Sequence, residues 1–202
     1  MKIIGGALLT QDSFQMLFHR ENIWKYDSIH ELKEQILRDT SQSWNLENFR
    51  RGCLDVKRAQ MLAIASCIDS GLDEEEFQVI STFGINGDGC VNNNLEYWND
   101  YVAYGKQSGR GGLFVATLPS TPFAEAMITL NAHGECVYLN GKMKQLKYLF
   151  EKNDGLLMLM TLKQNFAAAL LLAPGENDTI FEEDSDVIDW VKRLLKTEKE
   201  AL

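Results

Sequence analysis

The sequence LLMLMTLKQNFAAALLLA spans residues 156–173 and contains two apolar runs, Leu156–Thr161 and Phe166–Ala173. The four residues between them, 162–165, are few enough for a β-hairpin. Short apolar runs that lack polar alternation are typical of strands covered on both sides. This stretch therefore predicts two neighbouring strands inside a sheet that carries helices on both faces.

The chain upstream of the hairpin has clear helix signals. Ser28 and Glu31 form a capping box, so a helix is predicted over 29–38. The stretch 55–70 has few polar positions and ends at Gly71, which predicts a buried helix. The other predicted elements are an initial strand, strand 77–83 with a turn-rich loop through Asn94, helix 121–131 with Thr121 as N-cap, strand Cys136–Leu139, an amphipathic helix after Gly141 and a last helix over 187–195.

This order of elements predicts a single α/β domain over residues 1–202. Five strands form a mixed sheet, and helices on both faces complete three layers. A chain of 202 residues can bury a full core, and 45% apolar with 24% charged residues is a globular composition.

The net charge and the cysteine spacing restrict the classes of partner and the cellular compartment that we expect. The formal net charge is −9, whereas nucleic acids and anionic membranes bind clustered Lys and Arg, so we expect neither as a partner. No apolar run approaches the roughly 18 residues of a membrane helix, and no hydrophobic signal region follows Met1. The four cysteines form no C-x-x-C pair. We therefore expect a cytoplasmic protein with reduced thiols.

Four segments resemble the N-terminal half of the β-ketoacyl synthases, a family of the thiolase-like superfamily. The segments are a basic start with a small-residue helix and an "AGLD"-like end (49–73), a strand with the loop after it (79–97), a "TLP" stretch (114–126) with Gly134-Glu135 beyond it, and an "AAALLL" strand (166–172). The resemblance implies a thiolase-like half-fold.

The same resemblance implies that the reactive residues of the family are missing. The family's nucleophilic cysteine begins the helix after the third strand, where the helix N-terminus lowers the thiol pKa. Gly141, Lys142 and Met143 occupy that region here, and Cys136 lies too early. The two catalytic histidines of the family belong to its C-terminal half. We therefore expect no catalytic residue, no cofactor and no metal site.

The helix after Gly141 carries three lysines, Lys142, Lys144 and Lys147, on its polar face. In a complete synthase the corresponding helix lies between two sheets. Burying unpaired lysines would cost several kcal/mol each, so we expect this face to meet water.

These expectations lead to a non-catalytic accessory protein, a pseudoenzyme, in fatty-acid, polyketide or aryl-polyene biosynthesis. It would bind an acyl chain, an acyl carrier protein or a true ketosynthase. Two alternatives stay open. One is a thiol-dependent acyl-thioester enzyme that uses Cys136 or Cys90. The other is a self-associating module that dimerises through the strand edge Cys136–Leu139, because the family pairs that strand across a two-fold axis.

Other candidate residues have simpler interpretations. His133 and Cys136 have H-x-x-C spacing, but no second pair completes a metal site. Gly84, Gly87 and Gly89 depart from a phosphate-binding G-x-G-x-x-G and are interpreted as turn residues. The remaining candidates are the basic loop Ser108–Gly112 as a connection, Glu74–Glu76 as a helix start, His19 and His30 as surface or capping residues, and Trp24, Trp44, Trp98, Tyr97, Tyr101 and Tyr104 as core or edge packing rather than an acyl pocket.

Overall fold

The hairpin predicted over 156–173 is present and lies inside a single mixed sheet. The computed structural model describes residues 1–18, 23–38, 40, 42–87, 89–105, 110–139, 143–175, 189–191 and 193. The strands are β1 (Lys2–Thr10), β2 (Ser13–Met16), β3 (Ile23–Lys25), β4 (Ser81–Asn86), β5 (Cys136–Leu139), β6 (Leu157–Lys163) and β7 (Phe166–Ala173). The helices are α1 (Ile29–Arg38), α2 (Leu54–Ser70), α3 (Glu74–Phe77), α4 (Val91–Tyr104), α5 (Gly111–Ala116), α6 (Thr121–Leu130) and α7 (Met143–Lys152), and residues 189–191 and 193 are also helical.

The sheet has the strand order β3-β2-β1-β7-β6-β4-β5. β4 is parallel to β5 and β6, whereas β7 is antiparallel to β6 and β1. Consequently β1, β4, β5 and β6 all point the same way, and their carboxyl ends meet at one edge of the sheet. The predicted mixed α/β class is therefore confirmed.

The predicted number of five strands is wrong, because the described residues form seven. The N-terminal segment folds back twice to give β1, β2 and β3, which are antiparallel to each other. The first reversal is fixed by side chains, since the Oγ1 of Thr10 lies 2.6 Å from the Oγ of Ser13 and accepts from its backbone N–H at 3.2 Å. A turn made by hydroxyl groups lacks the Gly and Pro signals that the sequence reading used.

Two apolar cores lie on opposite faces of the sheet, because successive strand residues point to opposite sides. Met158 and Met160 of β6 pack in the core on the face of α1, α2 and α6. Leu157 and Leu159 pack in the other core, with Leu146 of α7. Helices therefore cover both faces, as predicted.

The helix predictions over 29–38, 55–70 and 121–131 are confirmed within one residue at each end. The N-cap of α6 is Ser120 rather than Thr121, and Pro122 lies in its first turn. The predicted strand 77–83 begins late, because α3 occupies 74–77 and its Asp73 cap accepts from the N–H groups of Glu75 and Glu76. Glu74–Glu76 is thus a helix start, as predicted.

The prediction of a loop through Asn94 is wrong. Gly84 lies inside β4, and Asn92, Asn93 and Asn94 form the first turn of α4. Its N-cap is Cys90 in the left-handed conformation, with φ 63°, and not a Ser, Thr or Asp. Three asparagines are weak helix formers, so propensity pointed away from this helix.

The predicted amphipathic helix after Gly141 is α7. Leu146 and Phe150 are buried against the sheet together with Trp190 and Val191, whereas Tyr148 is 60% exposed. Lys147 is half-buried. Lys142 and the side chain of Lys144 lie outside the described residues, as do 187, 188, 194 and 195 of the predicted last helix.

None of the helices in the described part of the chain is long and apolar enough to span a membrane.

Candidate functional site

A cavity of about 310 Å³ lies at the carboxyl ends of the parallel strands. Ligands of open α/β sheets commonly bind at this edge, outside the carboxyl ends of the strands. The cavity is lined by the starts of α2 and α4 and by the β6–β7 turn: Gln11, Leu54, Asp55, Arg58, Cys90, Val91, Asn92, Asn93, Gln164 and Asn165.

Arg58 fixes the floor of this cavity. Its Nη1 donates to the backbone oxygen of Gln164 at 3.0 Å and lies 4.0 Å from Oδ1 of Asp55. The first turn of α2 is thereby bound to the β6–β7 turn. The β6–β7 hairpin lies inside the sheet, and its turn residues Gln164 and Asn165 line the cavity.

Cys90 stands where β4 turns into α4. Its side chain is 2% exposed, and the Nδ2 of Asn86, the last residue of β4, donates to its sulfur at 3.4 Å. A left-handed φ is uncommon for a residue with a β-carbon. Burial raises the pKa of the Cys90 thiol, with Asp55 and Cys53 adding to the effect and Asn93 opposing it.

Cys53 is the N-cap residue of α2, whose first turn lines the same cavity as Cys90. The Nδ2 of Asn93 donates to the sulfur of Cys53 at 3.7 Å, and Asn93 also lowers the pKa of Cys90. Burial raises the pKa of Cys53 as well, against contributions from the backbone at Val56 and Asp55 and from Asn93 that lower it. Asn93 of α4 therefore connects the first turn of that helix to the start of α2. We name Cys53 and Cys90 the thiol pair. The sequence did not predict it, because the two cysteines lie far apart in the chain and form no C-x-x-C motif.

The other two cysteines lie apart from this site. Cys67 is fully buried in α2, and burial raises its pKa strongly. Cys136 is exposed at the start of β5, opposite Thr82, at the other end of β4 from Cys90, and partial burial raises its pKa too. Each thiol is therefore mostly protonated at neutral pH.

The residues considered for a metal site and for a phosphate site make backbone contacts instead. His133 donates its backbone N–H to the carbonyl of Gln78, and the described residues contain no group of three His, Cys, Asp or Glu side chains that could hold a metal ion. Gly87 donates its N–H to Leu162 at 2.8 Å and so extends the β4–β6 pairing, and Gly89 is a turn residue with φ 58°.

Histidines contribute no base to the thiol pair within the described residues. His30 packs edge-on against Phe49, with ring centroids 5.5 Å apart. No histidine is among the causes of the shifts at Cys53 or Cys90. His19 lies outside the described residues.

The aromatic residues divide into two groups. Trp24 stacks on Phe14 at 5.4 Å and Trp44 on Phe77 at 5.4 Å, as core and edge packing predicts. The aromatics of α4 differ, because no residue of that helix is buried.

α4 carries an apolar stripe at i, i+4, i+7 and i+11. We call it the α4 stripe: Val91 (57% exposed), Leu95 (54%), Trp98 (59%) and Val102 (66%). The neighbouring face packs on α5, where Tyr97 meets the ring of Phe114 at 5.8 Å. The stripe of α4 is therefore open to water, whereas amphipathic helices usually bury such a stripe.

Arg110 belongs to this part of the molecule rather than to a free basic loop. Its Nε lies 3.4 Å from Oδ1 of Asp100, and its guanidinium sits 5.6 Å from the ring centre of Tyr104. Gly111 and Gly112 already belong to α5, while Ser108 and Gly109 lie outside the described residues. The interpretation of Ser108–Gly112 as a connection is thus wrong for Gly111 and Gly112, whereas Arg110 precedes the helix as its exposed N-cap residue.

A second cavity, of about 200 Å³, separates α2 from α5 and α6, with Cys53, Val56, Val115 and Thr121 in its wall. Drug-sized ligands generally occupy at least about 300 Å³. This space is therefore small for an extended acyl chain.

The fold and the site together define a mixed α/β protein with two protonated thiols at helix starts near the carboxyl edge of its sheet and a helix whose apolar stripe is open to water. No model of a known protein family matches the chain, and no curated protein matches it either.

Proposed function

We propose that this protein is a non-catalytic, β-ketoacyl synthase-like accessory protein of fatty-acid, polyketide or aryl-polyene biosynthesis that binds a ketosynthase partner through the α4 stripe. The observation that carries the proposal is the stripe itself, four apolar side chains that are each more than half exposed. The segment resemblance supplies the class of partner.

The pattern of the stripe favours a helix of another protein over the other expected partners. Spacings of four and three residues repeat the a and d positions at which helices pack side by side. An acyl carrier protein is acidic, and so is this chain, with a net charge of −9, so long-range repulsion disfavours that complex.

The chemistry of the thiols supports a non-catalytic role. The ketosynthase reaction needs a poised thiolate, and burial raises the pKa of Cys53, Cys67, Cys90 and Cys136 instead. The described residues bring no imidazole to any of them.

The test is complex formation between the purified full chain and a β-ketoacyl synthase encoded in the same genome, measured by size-exclusion chromatography with light scattering. We expect one discrete complex. Trp98→Asp should weaken it at least about 30-fold, since an interface aromatic is worth about 2 kcal/mol or more.

Asn99→Asp is the matched control, because it adds the same charge to the exposed neighbouring position of α4 and should leave binding within about twofold. Circular dichroism should show both variants folded, since both positions are exposed. Binding that is equal for the two variants, or condensation turnover by the isolated chain with acyl and malonyl carrier proteins, would overturn the proposal.

Self-association is a second candidate that the sheet order favours. β5 is the outermost strand, Tyr138 on it is 36% exposed, and within the described residues it pairs only with β4. A dimer through Cys136–Leu139 would join two such edges. Light scattering of the chain alone separates the candidates, because a dimer that Val137→Pro disrupts and Trp98→Asp does not would point to this strand edge.

The thiol-dependent enzyme is favoured by one observation, the position of Cys90 at a helix start beyond the carboxyl end of a parallel strand. Iodoacetamide labelling at neutral pH distinguishes it. Fast labelling of Cys90 would support the enzyme, whereas labelling of Cys136 alone in the folded protein supports the accessory role.

A further inference from the structure

The α4 stripe has a spacing that reads the same in both chain directions. Val91, Leu95, Trp98 and Val102 follow one another in steps of four, three and four residues. A second α4 that runs antiparallel therefore presents the same pattern. With a two-fold axis between Leu95 and Trp98, each Val91 faces Val102 of the second copy, and each Leu95 faces Trp98. A two-fold interface requires such a self-complementary surface, in which residue i contacts j and j contacts i.

The side chains that border the α4 stripe are uncharged. At 3.6 residues per turn, Asn92, Asn94 and Asn99 lie beside it. Glu96 and Asp100 are the two charged residues of α4, and the same geometry places both on other faces of the helix. Two copies can therefore pack stripe to stripe without bringing like charges together.

We propose that a second copy of this chain covers the α4 stripe, as an antiparallel pair of α4 helices related by a two-fold axis. Each copy contributes one helix of 14 residues, which is a small contact, and interfaces below about 1,200 Å² are typically weak and transient. The dimer is therefore reversible, with a dissociation constant on the order of 10–100 µM.

The dimer occupies the surface that the proposed function gives to the ketosynthase. The two assemblies therefore exclude each other, and self-association withholds the chain from its partner at high concentration. This competition rests on the proposed function, whereas the dimer itself does not.

The net charge of −9 opposes the dimer at long range. Salt screens that repulsion, because the Debye length is only about 8 Å at physiological ionic strength. The contact itself is uncharged and has no ion pairs to lose. We therefore expect the dimer to tighten severalfold between about 20 and about 300 mM NaCl.

Sedimentation velocity of the purified full chain from about 1 to about 500 µM tests the dimer. We expect a shift from monomer to dimer, and hydrogen exchange of α4 that slows as the concentration rises. Trp98→Asp should weaken the dimer at least about 30-fold. Tyr148→Asp is the matched control, because it removes an equally exposed aromatic from α7 and adds the same charge; it should change the dissociation constant by less than about twofold.

The antiparallel register has its own test, mild copper-phenanthroline oxidation of Val91→Cys and Val102→Cys variants, with the products mapped by tandem mass spectrometry. An equimolar mixture of the two variants should form a disulfide between position 91 of one copy and position 102 of the other. Val102→Cys alone should form none between its two new thiols, because the antiparallel arrangement places them at opposite ends of the interface.

Four results would overturn the inference: a monomer at about 500 µM, a dimer that Trp98→Asp leaves intact, a dimer that weakens as salt rises, or a disulfide between two copies of position 102. Circular dichroism checks that the variants fold. Should Trp98→Asp fail to do so, Leu95→Ser gives a second measurement, with an expected loss of at least about tenfold. Ketosynthase binding is measured separately, so a chain that dimerises without binding the ketosynthase contradicts the proposed function alone, and a chain that binds it without dimerising contradicts this inference alone.

Discussion

At the scale of single residues, Gly84 shows how one missing side chain positions a helix. It lies inside β4, and a β-carbon there would sit 2.2 Å from the ring of Phe123, which is fully buried in α6. The ring occupies the place that any other residue would need. We therefore expect Gly84→Ala to lower the free energy of unfolding by about 1–3 kcal/mol, measured by urea denaturation.

Gly112→Ala is the control for this change. Gly112 is in α5, where an added β-carbon meets nothing within 4 Å, and alanine is the better helix former by up to about 1 kcal/mol. The variant should be as stable as the parent or slightly more so. Equal losses for both variants would show that the Phe123 contact is not the cause.

At the scale of elements, the helices and strands with the most regular apolar pattern were those that the sequence predicted correctly. The β6–β7 hairpin is apolar at nearly every position, and α2 is apolar without interruption from Met61 to Ala65, so their composition predicts buried elements. α4 was missed because its first turn is Asn-rich and its cap is a cysteine. The 4-3-4 spacing from Val91 to Val102 was the signal that could have found it.

The thiol pair could not be found from the chain alone, for a different reason. Cys53 and Cys90 precede helices that start at the same sheet edge, and the edge exists only once β4 has paired in parallel with β6. Long-range strand pairing leaves no local pattern in a sequence. The H-x-x-C spacing of His133 and Cys136 was local and visible, yet the described residues form no metal cluster there.

The contrast between α2 and α4 predicts unequal local stability. α2 has eleven buried residues and α4 has none, and segments with few buried contacts open at low free-energy cost. In hydrogen-exchange mass spectrometry of the chain alone, amides of α4 should exchange at least about a hundredfold faster than those of α2. Equal protection of the two helices would mean that the stripe is already covered by another copy.

At the scale of the whole molecule, the buried thiols couple stability to alkaline pH. The pKa of Cys67 is raised above its ordinary value of 9.0 by burial, and the pKa of Tyr26 is also raised, chiefly by burial. Above the ordinary pKa the unfolded chain releases a proton that the folded protein keeps. Unfolding is then favoured as pH rises, so these groups contribute stability that is complete below the ordinary thiol pKa and lost above it.

We therefore expect the free energy of unfolding to be level near neutral pH and to fall above about pH 9, by up to about 1.4 kcal/mol per pH unit for each such group. Cys67→Ala should be about 1 kcal/mol less stable at neutral pH, because it leaves a small cavity, but its alkaline decline should be shallower. Cys136→Ala, changed at an exposed thiol whose pKa burial raises less than that of Cys67, should flatten the decline less than Cys67→Ala does. Urea denaturation at a series of pH values measures these slopes. Parallel pH profiles for Cys67→Ala and the parent would contradict the role of Cys67, because its buried thiol would then not be the group that keeps its proton in the folded state.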